Sequence, residues 1–232
     1  MLGRAAKTLT QWLFGGTCFL CRGAAPTGLL CRGCESDLPR LTGDCCPRCA
    51  LPAPGDTPCG RCLSRPPHYD GTIAALGYAF PADALIQALK FRGELALAAL
   101  LAQVLCERLA ELPRPDWLVP VPISRGRLRE RGYNQSLEIA RHVGRAIGVP
   151  LAPHLCNRVR ETQAQTDLPW DRRAGNVRGA FEAIDSVSGA HVAVLDDVMT
   201  TGATLEEIAA TLKRAGAARV VNWVVARTLP PS

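Results

Sequence analysis

Four C-x-x-C pairs fall in the first 62 residues, and the third and fourth pairs repeat the first and second at an offset of 28 residues. The pairs are Cys18/Cys21, Cys31/Cys34, Cys46/Cys49 and Cys59/Cys62, so each unit reads C-x2-C-x9-C-x2-C. A fixed-period repeat means two copies of one structural unit. Each C-x-x-C loop turns sharply and aims two thiolates at one point, and two such loops complete a tetrahedral four-sulfur metal site. Gly15, Gly16, Gly23, Gly33, Gly43 and Gly60 are expected to supply the tight turns. A segment so short and loop-rich cannot bury enough apolar surface to fold alone, so bound metal supplies its folding energy.

The metal reading depends on compartment. The longest apolar stretch, Leu95 to Leu105, is too short for a membrane span of about 20 residues. The start of the chain lacks the apolar run and cleavage site of a secretion signal. The chain is therefore read as cytosolic, without membrane insertion. Nine of its eleven cysteines lie between Cys18 and Cys62, and thiols in that compartment stay reduced, which favours metal over disulfides. Four thiolates leave no open coordination position, so two structural Zn2+ ions are expected, with an iron–sulfur cluster as the rival. Pairing of neighbouring loops is preferred because each repeat unit then closes on itself, and a cross-braced pairing stays open. Cys45 is a spare next to Cys46, able to replace it. Cys106 and Cys156 sit in apolar surroundings and read as buried, inert thiols.

The prolines Pro52, Pro54, Pro58, Pro66 and Pro67 mark ribbon loops and then a linker, which places a boundary near Arg65 to Tyr69. Residues 1–66 form one expected unit and 67–232 the other. In the second, strands are expected over 72–80, over Trp117 to Pro122, over a short piece from His154 to Arg158, and over 191–195 and 219–226. Helices are expected over 82–91 up to Gly93, over 95–112 (apolar on several sides), over Ser136 to Ile147 with a stop at Gly148, and over 203–214 with a stop at Gly216. The stretch from Ser124 to Gln135 reads as basic and turn-rich, and Glu161 to Asn176 as a mobile loop or hairpin with a short helix. Strands alternating with helices give a parallel-sheet α/β domain.

The most specific chemistry lies at Val194-Leu195-Asp196-Asp197-Val198-Met199-Thr200-Thr201-Gly202-Ala203-Thr204. A buried strand runs into two aspartates, a Thr/Gly loop and a helix. Ligands of an open parallel sheet bind at the carboxyl ends of its strands. The helix start offers unpaired N–H groups and a favourable dipole to an anion. Thr200, Thr201 and Thr204 add hydroxyls, and Gly202 lets successive amides turn inward. Asp196 and Asp197 lie one step earlier, where carboxylates can accept hydrogen bonds from sugar hydroxyls. Neither G-x-x-x-x-G-K-[ST] nor G-x-G-x-x-G occurs.

This segment resembles the signature of type I phosphoribosyltransferases, and the wider chain resembles the ComF family (ComFC/GntX-like proteins). The further matching pieces are the double cysteine module, Ala88 to Gly93, Val119 to Pro122, Arg131 to Gln135, Arg158 to Thr162 with Gln165, and Arg173 through Asn176 to Phe181. The family often has Phe at the position of Tyr133. The resemblance implies a type I phosphoribosyltransferase-like parallel sheet with helices on both faces, preceded by a small double zinc ribbon, with residues 72–112 contributing to a hood. It implies that Asp196 and Asp197 bind the ribose hydroxyls of 5-phosphoribosyl-1-pyrophosphate, that Thr200, Thr201, Gly202, Ala203 and Thr204 hold its 5′-phosphate with Val198 and Met199 in the same ligand-binding segment, and that Ile123, Ser124 and Arg125 face its pyrophosphate. It places a closing loop over Arg160 to Asn176, including Thr162 and Gln165. Mg2+ is expected to arrive with the pyrophosphate.

Arginines suit the charge of a pyrophosphate leaving group. Arg125, Arg127, Arg129 and Arg131 cluster beyond one strand, and Arg158, Arg160, Arg172 and Arg173 flank the closing loop. Arg131, Asn134 and Gln135 are the best polar candidates there, with helix capping the competing role for Asn134. Lys90 and Arg92 read either as contacts to an acceptor or as a solvated helix end. Two functions remain open. One is transfer of a phosphoribosyl group to an acceptor with release of pyrophosphate. The other, implied by the resemblance to the ComF family, is an adaptor that binds single-stranded DNA and the DNA-uptake machinery of natural transformation, with the sugar phosphate as a regulatory ligand. Net charge is +6, with eight Lys/Arg against four Asp/Glu in residues 1–65, which is compatible with a polyanion partner. Neither the acceptor nor the oligomeric state is legible.

Overall fold

The computed structural model describes residues 16–160, 177–183 and 187–230. Four strands form a parallel sheet in the order β1-β6-β5-β2, where β1 is Gly71–Gly77, β2 Trp117–Pro120, β5 His191–Met199 and β6 Arg219–Arg227. Two short strands, β3 (Cys156–Arg158) and β4 (Phe181–Ala183), pair antiparallel apart from it. Helices α3 (Ala82–Phe91), α4 (Ala96–Leu109), α5 (Arg125–Arg131), α6 (Gln135–Ile147) and α7 (Ala203–Arg214) belong to this α/β part. Two single-turn helices, α1 (Arg32–Ser36) and α2 (Gly60–Ser64), belong to the cysteine repeat.

The central strands are apolar without alternation because both faces of the sheet are covered. On one face Ala193, Leu195, Val221, Trp223 and Val225 pack with α3, α4 and α6. On the other, Val192, Val194, Val220 and Val224 pack with Leu205, Ile208 and Leu212 of α7. Helix α4 is buried at Leu97, Ala98, Leu101, Ala102, Val104, Leu105 and Leu109, which accounts for its multi-sided apolar sequence.

The cysteine units wrap the β1 edge. Leu41 N–H donates to Ala75 O (3.0 Å), Gly77 N–H to Pro39 O (2.7 Å) and Thr72 N–H to Pro47 O (3.1 Å). The link between the two units, with the first loop of the second, thus satisfies an edge that would otherwise template pairing with another chain. Cys18, Ala25, Leu30 and Leu38 of the first unit join the α3/α4/α6 core, whereas Cys46, Cys49, Ala50, Ala53 and Cys62 of the second join the α7 core.

Three local readings change. The basic stretch beyond Ser124 is not a turn but helix α5. Ser124 Oγ accepts from Arg127 N (3.3 Å), and Gly132 closes the helix at φ 82°. No residue of α5 is buried, so it has no apolar period to read. The left-handed backbone positions of the cysteine units are Arg22 (φ 63°) and Ala50 (φ 55°), one residue past the second cysteine of each, with Gly55 (φ 63°) and Asp56 (φ 51°) in the second unit, whereas none of the described glycines Gly16, Gly23, Gly33, Gly43 and Gly60 takes a positive φ. Strand β5 runs on to Met199 instead of stopping at Leu195, because Asp196, Val198 and Met199 still pair with Val224, Ala226 and Arg227 of β6. Among the described residues no helix is long and apolar enough to cross a membrane.

Candidate functional site

The metal sites come first, since the second of them abuts the rest of the site. The sulfurs of Cys18, Cys21, Cys31 and Cys34 lie within 4.8 Å of one another, and so do those of Cys46, Cys49, Cys59 and Cys62. Neighbouring loops therefore pair, and each repeat unit closes on itself. The Cys21–Cys31 and Cys49–Cys59 sulfur separations are both 3.7 Å. A tetrahedron with metal–sulfur bonds of about 2.3 Å has edges of about 3.8 Å, so both clusters fit zinc. Backbone amides point at the sulfurs, Gly23 N to Cys21 Sγ (3.4 Å) and Cys59 N to Cys46 Sγ (3.3 Å) among them, which favours thiolates. Cys45 is in neither cluster; its thiol faces Gly43 O at 3.3 Å. Cys156 is buried, and desolvation pushes its thiol up to about 12, as suits an inert side chain.

The second centre lies at the carboxyl ends of β1, β2 and β5. A cavity of about 300 Å³ is lined by Asp196, Asp197, Val198, Thr200 and Thr204 from the β5–α7 segment, by Val121, Pro122 and Ile123 beyond β2, and by Tyr78, Lys90, Arg127, Gln135 and Arg158. Against it lies a niche of about 40 Å³ enclosed by Asp196, Val198 to Thr200 and Gly202 to Leu205. Gly202, at φ 85°, sets the turn and caps α7. A Cβ there would lie 2.7 Å from Met199 Cε, so conformation and space both call for glycine. Thr201 Oγ1 accepts from Ala203 N (3.1 Å), which spends that hydroxyl on the turn.

The two carboxylates have different partners. Asp196 Oδ1 accepts from Ser136 Oγ (3.0 Å) and from Asp197 N (2.9 Å). Asp197 Oδ1 accepts from Val198 N (2.7 Å), while its Oδ2 lies 2.9 Å from Lys90 Nζ. That second contact is Coulombic, since Oδ2 accepts no aligned hydrogen bond. Burial, and then the neighbouring Asp197 charge, push the Asp196 carboxyl up to about 7, against the pull of Lys90 and Ser136. Burial alone would lower the Lys90 ammonium, yet the two aspartates hold it above its usual range.

Of the residues singled out in the sequence, Asp196, Asp197, Val198, Thr200, Thr204, Ile123 and Gln135 meet in the cavity, and Met199, Gly202 and Ala203 meet in the niche beside it. Others stand apart from both. Ser124 caps α5 and Arg125 opens it. Arg131 donates to Gln135 Oε1 and lies 5.3 Å over the Phe91 ring. Asn134 is the N-cap of α6: its Oδ1 accepts from Ser136 N (3.0 Å) and Leu137 N (3.4 Å), and its Nδ2 donates to Val121 O (3.0 Å). Arg160 donates to Arg178 O. Thr162 and Gln165, with the rest of the expected closing loop to Asn176, lie outside the described residues. Sequence reasoning missed Tyr78 and left Lys90 as one of two possibilities. The available signal was their position, one residue past β1 and at the end of a helix that returns over the sheet.

The double zinc ribbon domain profile matches residues 9–63, and the phosphoribosyl transferase domain profile matches residues 134–228. Among curated relatives, the DNA utilization protein YhgH of Escherichia coli K12 is 39% identical over 223 residues, covering 92% of this chain and 98% of its own. Competence protein F of Haemophilus influenzae is 31% identical over 228 residues, with the same two coverages. Competence protein ComFC of Bacillus subtilis is 27% identical over 206 residues, covering 85% of this chain and 83% of its own.

Proposed function

The chain belongs to the ComF family, and from that premise we propose that its α/β part binds 5-phosphoribosyl-1-pyrophosphate and transfers the phosphoribosyl group to an acceptor nucleophile. One observation carries the reading: β5 delivers two carboxylates into the same cavity that the Thr200–Thr204 turn opens on. Carboxylates hold the ribose hydroxyls, and the amides at the α7 start, with the Thr200 and Thr204 side chains, hold the 5′-phosphate. Lys90, Arg127 and Arg158 line the same cavity. They supply fixed positive charge for the departing pyrophosphate while the anomeric carbon becomes cationic. Mg2+ bound to the pyrophosphate would offset further charge without a protein cage. Residues 67–232 serve this chemistry, and residues 72–112 overhang it through Tyr78 and Lys90. The experiment is a screen of nucleobases, amines and nucleic acids for pyrophosphate release from the sugar phosphate. Release that depends on one acceptor class supports transfer; none with any acceptor leaves binding without turnover.

A second reading has its own support. Relatives carry names of competence and DNA utilization, and two large aromatics, Phe80 and Phe91, are 75% and 70% exposed on the overhang, with Arg131 stacked on the latter. Exposed rings beside arginines form stacking platforms for single-stranded nucleic acid. As an adaptor the protein would bind single-stranded DNA and use the sugar phosphate as a regulator. A mobility shift that weakens with salt, and weakens again when Arg22, Arg32 and Arg48 are neutralised, supports this; no shift even at low salt opposes it.

A further inference from the structure

Arg227 ends β6 and is 1% exposed, the largest fully buried side chain among the described residues. A buried guanidinium requires hydrogen bonds for its donors and an anion for its charge. The hydrogen bonds are present, and all go to backbone carbonyls. Nε donates to Cys49 O (2.9 Å), and Nη1 donates to Met199 O (2.8 Å), Thr200 O and Thr228 O (2.9 Å). Among the described residues no carboxylate pairs with it. The anion beside it is the second cysteine cluster, since four thiolates around Zn2+ carry two net negative charges and Cys49 is one of the four. With one edge Arg227 thus grips a ligand residue of that cluster. With the other it grips Met199 and Thr200, the two residues that enter the phosphate turn.

Other contacts repeat this link. Cys62 and Arg61 face Thr201, Gly202 and Ala203 across one cavity of about 340 Å³. The Tyr69 hydroxyl lies 3.5 Å from where a Cβ on Gly202 would stand, and Tyr69 packs in one core with Cys46, Cys49, Cys62 and Met199. Cys18, Cys31 and Cys34 of the first cluster pack instead into the core on the opposite face, which among the described residues meets this segment at Val198, ahead of the turn itself.

We infer that Arg227 is a positioning residue that ties the second four-cysteine site to the phosphate turn, so that metal occupancy of that site, and not of the first, fixes the turn in its ligand-ready shape. The consequence for ligand affinity rests on the phosphoribosyl reading above; the consequence for the shape of the turn does not.

The test compares Cys59→Ser with Cys31→Ser in the full chain, because the two cysteines occupy the same place in the repeat. Zinc content, amide exchange over 198–204 and binding of phosphoribosyl pyrophosphate with Mg2+ are measured for both. Cys59→Ser is expected to exchange faster over 198–204 and to bind more weakly, each by about tenfold or more; Cys31→Ser should leave both near wild type. Equal exchange over 198–204 in the two variants, with one zinc in each, overturns the inference. Failure of the wild type to bind the ligand would discard the phosphoribosyl reading while the exchange comparison still decides the coupling. Should Cys59→Ser not fold, Arg227→Lys keeps the charge but cannot span four carbonyls. It is expected to lose the second zinc to a chelator faster than the first and to loosen the turn; wild-type zinc release and exchange in this variant overturn the inference equally.

Discussion

Lys90 Nζ lies 2.9 Å from Asp197 Oδ2, so a side chain from helix α3 is the cation that offsets the acidic end of β5. Asp197 is 3% exposed and Asp196 is adjacent. Removing the ammonium while keeping the side-chain bulk leaves two carboxylates with no cation among the described residues in ion-pair contact. Lys90→Met is expected to lose about 2–3 kcal/mol of stability at pH 8, with a smaller loss at pH 6, where Asp196 holds its proton. Chemical denaturation at the two pH values measures this.

Asp196 itself sets a pH dependence. Its folded-state carboxyl titrates at about 7, above the value of about 4 for an unfolded chain. The folded state therefore binds the proton more tightly between these values. Stability from this group is present below pH 4, falls as pH rises through 7, and is gone above it. Asp196→Asn mimics the protonated form. It is expected to raise the melting temperature at pH 8 by roughly 4–8 °C, for on the order of 2 kcal/mol, and the difference should shrink as pH falls below 7 and vanish near pH 4. A thermal melt series across pH measures it. A site residue whose removal stabilises the fold is held for function.

Gly202→Ala meets both obstacles at once, a φ of 85° and a Cβ 2.7 Å from Met199 Cε. The expected cost is about 1–3 kcal/mol, together with a fall in affinity for phosphoribosyl pyrophosphate of about tenfold or more. Gly93, with φ 72° and open space around it, provides the control: Gly93→Ala should cost only the backbone strain and leave affinity unchanged.

Asn134 separates capping from ligand contact. Asn134→Ala should cost about 1 kcal/mol of stability, and Asn134→Ser should recover most of it. Affinity for the sugar phosphate should stay within about twofold of wild type in the serine variant, because the amide points at Val121 O and the α6 amides. Equilibrium unfolding and calorimetry on the pair measure the two effects.

Much of the frame was readable because β5, β6 and α7 carry dense apolar runs with clear stops, and the cysteine repeat carries its geometry in its spacing. The features missed share one cause, which is that their partners are distant in sequence. Helix α5 has one large apolar residue, Leu128, and that residue is exposed, so only its caps define it. Lys90 looks like a helix-end charge until the fold brings Asp197 to it from 107 residues away. Arg227 looks like a polar strand end until Cys49, 178 residues earlier, accepts its hydrogen bond. The extension of β5 through its aspartates follows from pairing with β6, which no local pattern shows.

Titration calorimetry with phosphoribosyl pyrophosphate and Mg2+, on the wild type and on the variant carrying both Asp196→Asn and Asp197→Asn, tests the sugar-phosphate site most directly. One saturable site in the wild type, abolished in a variant that keeps its zinc and its cooperative melt, is the expected result. Absence of binding in the wild type, or equal affinity in the two proteins, would contradict it.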